Sequence, residues 1–232
     1  MRENNPVHGV QRFADAKRER RLTDAEYIAL GSALEKAGAA RFWPPVVAAI
    51  RFLALTGWRR GEALALRWPD VDLQRRTAVL PDTKSGASVR PLSRSACAVL
   101  EAMTQFRSDP NSLVFPATRG AGILTGFRKF WLRVSKLGSL PADVTPHVLR
   151  HSFASLSADL GYSEPTIAAL IGHVGRSTTS RYVHAADAVL LAAADAVAEK
   201  TQALMTERSN KVLAPGNREP ALNTLHRLEL AG

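Results

Sequence analysis

Along most of the chain, apolar residues recur every three to four positions, the period of helices that bury one face. "TDAE" at 23–26 is a capping box ahead of "YIALGSALEKAG" and predicts a helix ending near Gly38. A second helix starts at Pro44 and Pro45 and stops at Thr56 and Gly57, and "RRGEALALRW" restarts the period at once. Over 76–92, "RTAVLPDTKSGASVRPL", the pattern changes to short β-prone pieces on either side of Ser85 and Gly86, which predicts a small hairpin or three-stranded antiparallel sheet. Helices then resume. Ser93 caps "RSACAVLEAMTQF", "LVF" reads as a short strand, and "LTGFRKFWLRVSKLG" is amphipathic with a basic polar side. Thr145 with Pro146 opens a helix that Gly161 closes, and Ser163 caps "EPTIAALIGH". Ser177 or Thr178 starts one or two helices over "TTSRYVHAADAVLLAAADAVAEKTQALM".

The expected fold is therefore mainly α with a small antiparallel sheet, an α+β arrangement. Residues 1–22 are polar and end in "AKRERR", so they read as a basic linker or arm; 23–206 form the folded body and 207–232 a flexible tail. There is no internal repeat.

Charge narrows the function. The 232 residues carry 31 Lys and Arg against 21 Asp and Glu, a formal +10 with a pI near 10.4, which points to a polyanionic partner such as nucleic acid. The single cysteine, Cys97, excludes an internal disulfide and a cysteine-rich zinc site, and its apolar surroundings place it in the core. Arg51 interrupts the longest apolar run, so no membrane span is expected. The opening "MRENNPVHGV" lacks the apolar stretch of a secretory signal, so the natural setting is cytoplasmic.

Three stretches and one turn hold candidate chemistry. In "TPHVLRHSFAS", His147 and Arg150 share a helical face near an N-terminus whose dipole favours anions; a phosphate fits there, as do a solvated arginine and a packed histidine. His147 and His151 have the spacing of a metal pair, but Arg150 beside them and the lack of an interleaved glutamate argue against a bound cation. In "TGWRRGE", Arg59 lies in the first turn of a helix, with Glu62 placed to orient its guanidinium and Arg60 beside it. "IGHVGRSTTSRYVH" holds His173 at a helix end and Tyr182 nine residues later, while Lys84 sits in the turn "DTKSGAS", where it could act as an acid.

Taken in order, "LTGWRRGEALALRWPDVD", "TKSGASVRPL", "TPHVLRHSFAS" and "IGHVGRSTTSRYVHA" resemble the catalytic domain of the tyrosine recombinases, the phage-integrase family, over about residues 20–200. The resemblance implies Arg59 as the first catalytic arginine, Lys84 as the hairpin lysine, and His147 with Arg150 as the histidine-x-x-arginine pair. It also implies His173 at the position held by histidine or tryptophan, and Tyr182 as the nucleophile, with Glu62 and His151 in support. Such enzymes are integrases of mobile elements such as phages and genomic islands. They cut and rejoin duplex DNA through a 3′-phosphotyrosine without metal, ATP or another cofactor, working in tetrameric synapses of recombinase protomers. Lys17, Arg18, Arg20, Arg21 and Arg60 are the expected DNA contacts.

Family members carry a separate helical core-binding domain ahead of the catalytic one. The short basic segment here leaves no room for it, so the chain is expected to be a fragment or a truncated relative. The alanine-rich helix after Tyr182 could dock on a neighbouring protomer or on its own chain. Three rivals remain: a type IB topoisomerase-like strand transferase, a nonenzymatic DNA-binding relative, and a metal-dependent nuclease, for which convincing carboxylate clusters are missing.

Overall fold

The computed structural model describes residues 20–80, 88–120, 122–172 and 183–206. Helix α1 (Asp24–Ala39) begins at the predicted capping box: Thr23 accepts from the Glu26 backbone N–H and Glu26 accepts from that of Thr23. It runs one residue past Gly38. Helix α2 (Pro44–Thr56) starts on its two prolines and ends at Gly57, whose φ of 63° lies in the left-handed region that glycine adopts without strain. Almost all of α2 is apolar, so it becomes the central helix, packed against α1, α4 (Arg94–Met103), α6 (Pro146–Asp159) and α8 (Val183–Thr206). Ile50, Phe52 and Leu53 of α2 meet Leu30, Leu34, Leu100, Phe115 and Leu149 in one continuous core.

The short helix α3 (Arg60–Ala65) follows Gly57 and leads into three strands, β1 (Val71–Asp72), β2 (Thr77–Leu80) and β3 (Ser88–Pro91), antiparallel in that order. Period-two alternation turns Ala78 and Leu80 inward and leaves Val79 and its cross-strand partner Val89 exposed. Arg90, opposite Ala78, therefore points into the body. Ser93 caps α4 as expected, and α4 buries Cys97, whose thiol burial pushes up to about 11. Helices α5 (Phe127–Leu137), α6 and α7 (Glu164–Ile171) complete the body.

One expectation needs correction. "LVF" does not form a strand: Leu113 makes a single antiparallel bridge to Arg67, and Leu113, Val114 and Phe115 are all buried. The Trp68 N–H donates to the Ser112 carbonyl and the Val114 N–H to that of Leu66, but the partner chain turns into a helical turn at Trp68–Asp70, so the pairing stops at one bridge. The C-terminal run is one continuous helix, α8, from Val183, and its expected start at 177–178 lies outside the described residues. Thr145 does occupy the cap position of α6, but its side chain makes no capping bond; Pro146 at the first position removes one N–H that would need a partner.

Helix α8 docks on its own chain. Ala193, Ala194 and Val197 pack with Phe153 of α6 and with Leu170 and Ile171 of α7, and Gly31 of α1 lies directly against the Met205 backbone. Asp195, 7% exposed, accepts from Arg76 Nη1 (2.8 Å), from the Arg94 backbone N–H (2.7 Å) and from Arg94 Nη1 (2.9 Å). Among the described residues, no helix is long and apolar enough to cross a membrane.

Candidate active site

Three helix boundaries converge beside β3: the α2–α3 corner, the first turns of α6, and the end of α7. Arg59 stands at the cap position of α3 rather than inside its first turn. Its backbone N–H donates to Glu62 Oε2 (3.0 Å) and its Nη1 to Glu62 Oε1 (2.8 Å), so one carboxylate fixes both ends of the residue. With 46% of the side chain exposed, the guanidinium is oriented from below and still open to a ligand. Arg60 is exposed beside it.

Arg150 is only 4% exposed. Its Nη1 donates to the carbonyls of Gly57 (2.9 Å) and Ile171 (2.7 Å), tying together the C-terminal ends of α2 and α7, where helix carbonyls lack partners of their own. Its Nη2 is buried with no hydrogen-bond partner among the described residues. Burial, then the charges of Arg59 and Arg90, pull this guanidinium down to about 10, against the opposing effect of Glu62; it stays cationic at neutral pH.

His147, three residues earlier, is exposed at the rim of α6, and its ring meets that of His151 edge-on with centroids 4.5 Å apart. Desolvation, then His151, Arg150 and Arg59, hold its imidazole below its ordinary value. At neutral pH the ring is a neutral proton acceptor in a cationic field. Among the described residues, no group of three or more His, Cys, Asp or Glu is placed to hold a metal ion.

The structure also brings in a residue that the sequence reading missed. Arg90, 1% exposed, lies with its Nη2 3.5 Å from Glu62 Oε1, over the Trp58 ring and against the α-carbon of Gly172. An arginine on the inward face of a strand was the available signal, because alternation reserves that slot for apolar side chains. Arg59 and Arg90 thus share one carboxylate, and Arg150 lies close enough to feel its charge, leaving an excess of positive charge that a phosphate would offset.

Lys84, His173 and Tyr182 lie outside the described residues, as do Lys17 and Arg18. Arg20 and Arg21 have partners within the body. Arg20 bonds both Glu26 oxygens and, through Nε, Asp143 (2.7 Å), while Arg21 Nη1 pairs with Asp159 (2.5 Å). The Leu22 N–H donates to Ser152 Oγ (2.8 Å), so this inner end of the basic segment is fastened to α6.

Comparison with known proteins gives a consistent result. A sequence model described as the phage integrase family matches residues 20–188. The shufflon-specific DNA recombinase of Escherichia coli is 34% identical over 202 residues, covering 85% of this chain and 49% of that protein. The chain spans about half the length of the curated relatives it matches. Among solved structures, XerA recombinase superposes with a TM-score of 0.57 at 19% identity, over 91% of this chain and 69% of that one. A lambda integrase dimer bound to a COC′ core site gives a TM-score of 0.56 at 22% identity, over 77% and 52%. With a helical body around a three-stranded sheet, two helix ends tied by Arg150, and a family match that runs through all of them, this chain belongs to the phage integrase family.

Proposed function

We propose that this chain is the strand-cleaving module of a site-specific DNA recombinase that acts on duplex DNA through a tyrosine nucleophile. The observation that carries the reading is the convergence of Arg59, held by Glu62, and Arg150, whose buried Nη2 has no hydrogen-bond partner among the described residues, at the place where three helix boundaries meet. Arg59 and Arg150 bind the nonbridging oxygens of the scissile phosphate and stabilise the charge that grows on them in the transition state. The Tyr182 oxygen attacks phosphorus, the bond from phosphorus to the 5′ oxygen breaks, and Lys84 protonates that leaving oxygen. His147, neutral at pH 7, accepts the tyrosyl proton, and His173 supports the phosphate. A 5′-hydroxyl from a partner duplex reverses the step, and since the adduct conserves the ester bond, no nucleotide cofactor or metal enters.

The same reading gives the partners: duplex DNA, contacted by Arg60 and by the segment holding Lys17, Arg18, Arg20 and Arg21, and further protomers in a tetrameric synapse. The lambda integrase relative is a DNA-bound dimer, which supports assembly on DNA. A bacterial or phage-type cytoplasmic setting belongs to this proposal. A nicked suicide duplex, from which the 5′-hydroxyl fragment diffuses away, tests it. The wild-type chain should give a denaturant-stable DNA adduct in the presence of chelator, Tyr182→Phe none, and Arg59→Ala at least about a hundredfold less. An adduct in Tyr182→Phe, or one that requires a divalent metal, would overturn the mechanism.

A further inference from the structure

Arg90 sits where stability alone favours an apolar side chain. Its strand position faces Ala78 across the sheet, it is 1% exposed, and its Nη1 and Nη2 have no hydrogen-bond partner among the described residues. A buried cation with unmade hydrogen bonds is costly, and a well-packed apolar residue of similar volume is commonly neutral or better. What the charge touches is specific. Glu62 Oε1, the oxygen that accepts Arg59 Nη1 at 2.8 Å, lies 3.5 Å from Arg90 Nη2. Ser88 Oγ accepts from Arg90 Nε at 2.9 Å and sets the plane of the guanidinium. The guanidinium carbon lies over the Trp58 ring, 5.7 Å from its centroid. The guanidinium also fills the space where a side chain on Gly172 would go, and Gly172, with a φ of 69°, is the last residue before His173.

We propose that Arg90 is a positioning residue for strand cleavage: wedged between Trp58, Gly172 and Glu62, it holds the Glu62 carboxylate on Arg59 and supports the helix end that leads into His173. The proposal rests on the reading of Arg59 as a phosphate-binding arginine. The contacts of Arg90 are with Glu62, Trp58 and Gly172, which makes it a support for Arg59 in place of a phosphate ligand. Its effect therefore falls on the rate of cleavage and not on the affinity for the duplex. Because it acts through Glu62, its effect on Arg59 vanishes once that carboxylate is neutralised.

Single-turnover cleavage of the nicked duplex at saturating DNA, with the dissociation constant measured separately, tests both statements. Arg90→Met should cleave at least about tenfold more slowly, with affinity changed by less than about twofold. Arg90→Lys, which keeps the charge but not the flat plate, should recover part of the rate. Added to Glu62→Gln, Arg90→Met should cost less than about threefold more, because the two act in one chain of contacts. Wild-type rates in Arg90→Met, a fully multiplicative double variant, or a loss seen in affinity instead of rate would each overturn the proposal. If Arg90→Met lacks a cooperative unfolding transition, Arg90→Lys decides: about threefold slower cleavage at unchanged affinity supports the role, and a wild-type rate overturns it. If even the wild-type chain forms no adduct, the functional reading fails by itself. Arginine side-chain relaxation in the free protein then decides on Arg90: the Arg59 Nε–H order parameter should fall in Arg90→Lys, and an unchanged value refutes the positioning role.

Discussion

In the proposed function, Arg150 serves folding and chemistry together. Its Nη1 joins the carbonyls of Gly57 and Ile171 while Nη2 has no partner among the described residues, so Arg150→Ala removes two structural bonds along with the proposed phosphate ligand. Arg59, half exposed and pinned by Glu62, separates the two roles more cleanly. Gly57 is tied to Arg150 through its carbonyl, and a side chain on it would meet the Phe153 ring at 2.8 Å as well as straining a φ of 63°. Gly57→Ala should therefore lose about 2 kcal/mol in urea unfolding, and a loss under about 0.5 kcal/mol would contradict this packing. For His147 the sign of the pH dependence is fixed. Its pKa lies below the ordinary 6.5, so on acidification the unfolded chain takes up the proton first, and stability falls as pH drops below that value. Titration of the ring followed by NMR should give a midpoint below that of a free histidine, rising when phosphate occupies the site. A midpoint at or above the free value would count against the cationic field described here.

At the scale of elements, the legible parts of the sequence were those with strong local signals. Thr23 with Glu26, Pro44 and Pro45 before an apolar run, Gly57, Ser93 and Pro146 each mark a boundary by their own backbone chemistry, and α1, α2, α4 and α6 begin or end at them. Arg59 and Glu62 were legible for the same reason, since their contact is local. Contacts distant in sequence were not. Leu113 to Phe115 form no strand because the segment they pair with, far upstream, leaves the extended conformation at Trp68–Asp70 after a single bridge. Arg90 reaches Glu62 and Gly172 only after β3 pairs with β2, which no local pattern of charge reveals. Asp195 is another case: an acidic residue in an alanine-rich helix reads as a solvated face, yet it takes three hydrogen-bond donors from Arg76 and Arg94 and fixes α8 to the sheet and α4. Asp195→Ala leaves Arg76 without its carboxylate and should cost about 3 kcal/mol. Since Tyr182, the proposed nucleophile, immediately precedes Val183 of α8 in sequence, cleavage should fall along with stability. Equilibrium unfolding and adduct yield measured on the same variant check both, and a variant with wild-type stability would mean that α8 is held by its apolar face alone.

For the molecule as a whole, the net charge of +10 is unevenly available to a polyanion. Arg20 and Arg21 already have carboxylate partners in Glu26, Asp143 and Asp159, and Arg20 is a stronger base for it, chiefly through its bonds to Glu26. Glu26 is correspondingly held below its ordinary value, first by Arg20, so this pairing stabilises the fold above that value and is lost as pH falls through the lowered one. A cation that keeps such a partner releases few counterions from DNA, whereas an unpaired one displaces them fully. Duplex affinity should therefore fall steeply with salt, by about a hundredfold between 50 and 200 mM if four phosphates are contacted, at a slope near −0.9 per contact. Neutralising Lys17 and Arg18 together should make that slope shallower by about one to two units. Neutralising Arg20 and Arg21 should change it by less than about half a unit and instead lower the unfolding midpoint, because their partners belong to α1, α6 and the loop before α6. Slopes fitted from binding titrations at several salt concentrations, alongside thermal melts of the same variants, separate the two pairs. Equal slope changes for both would mean that Arg20 and Arg21 leave their carboxylates for the DNA backbone.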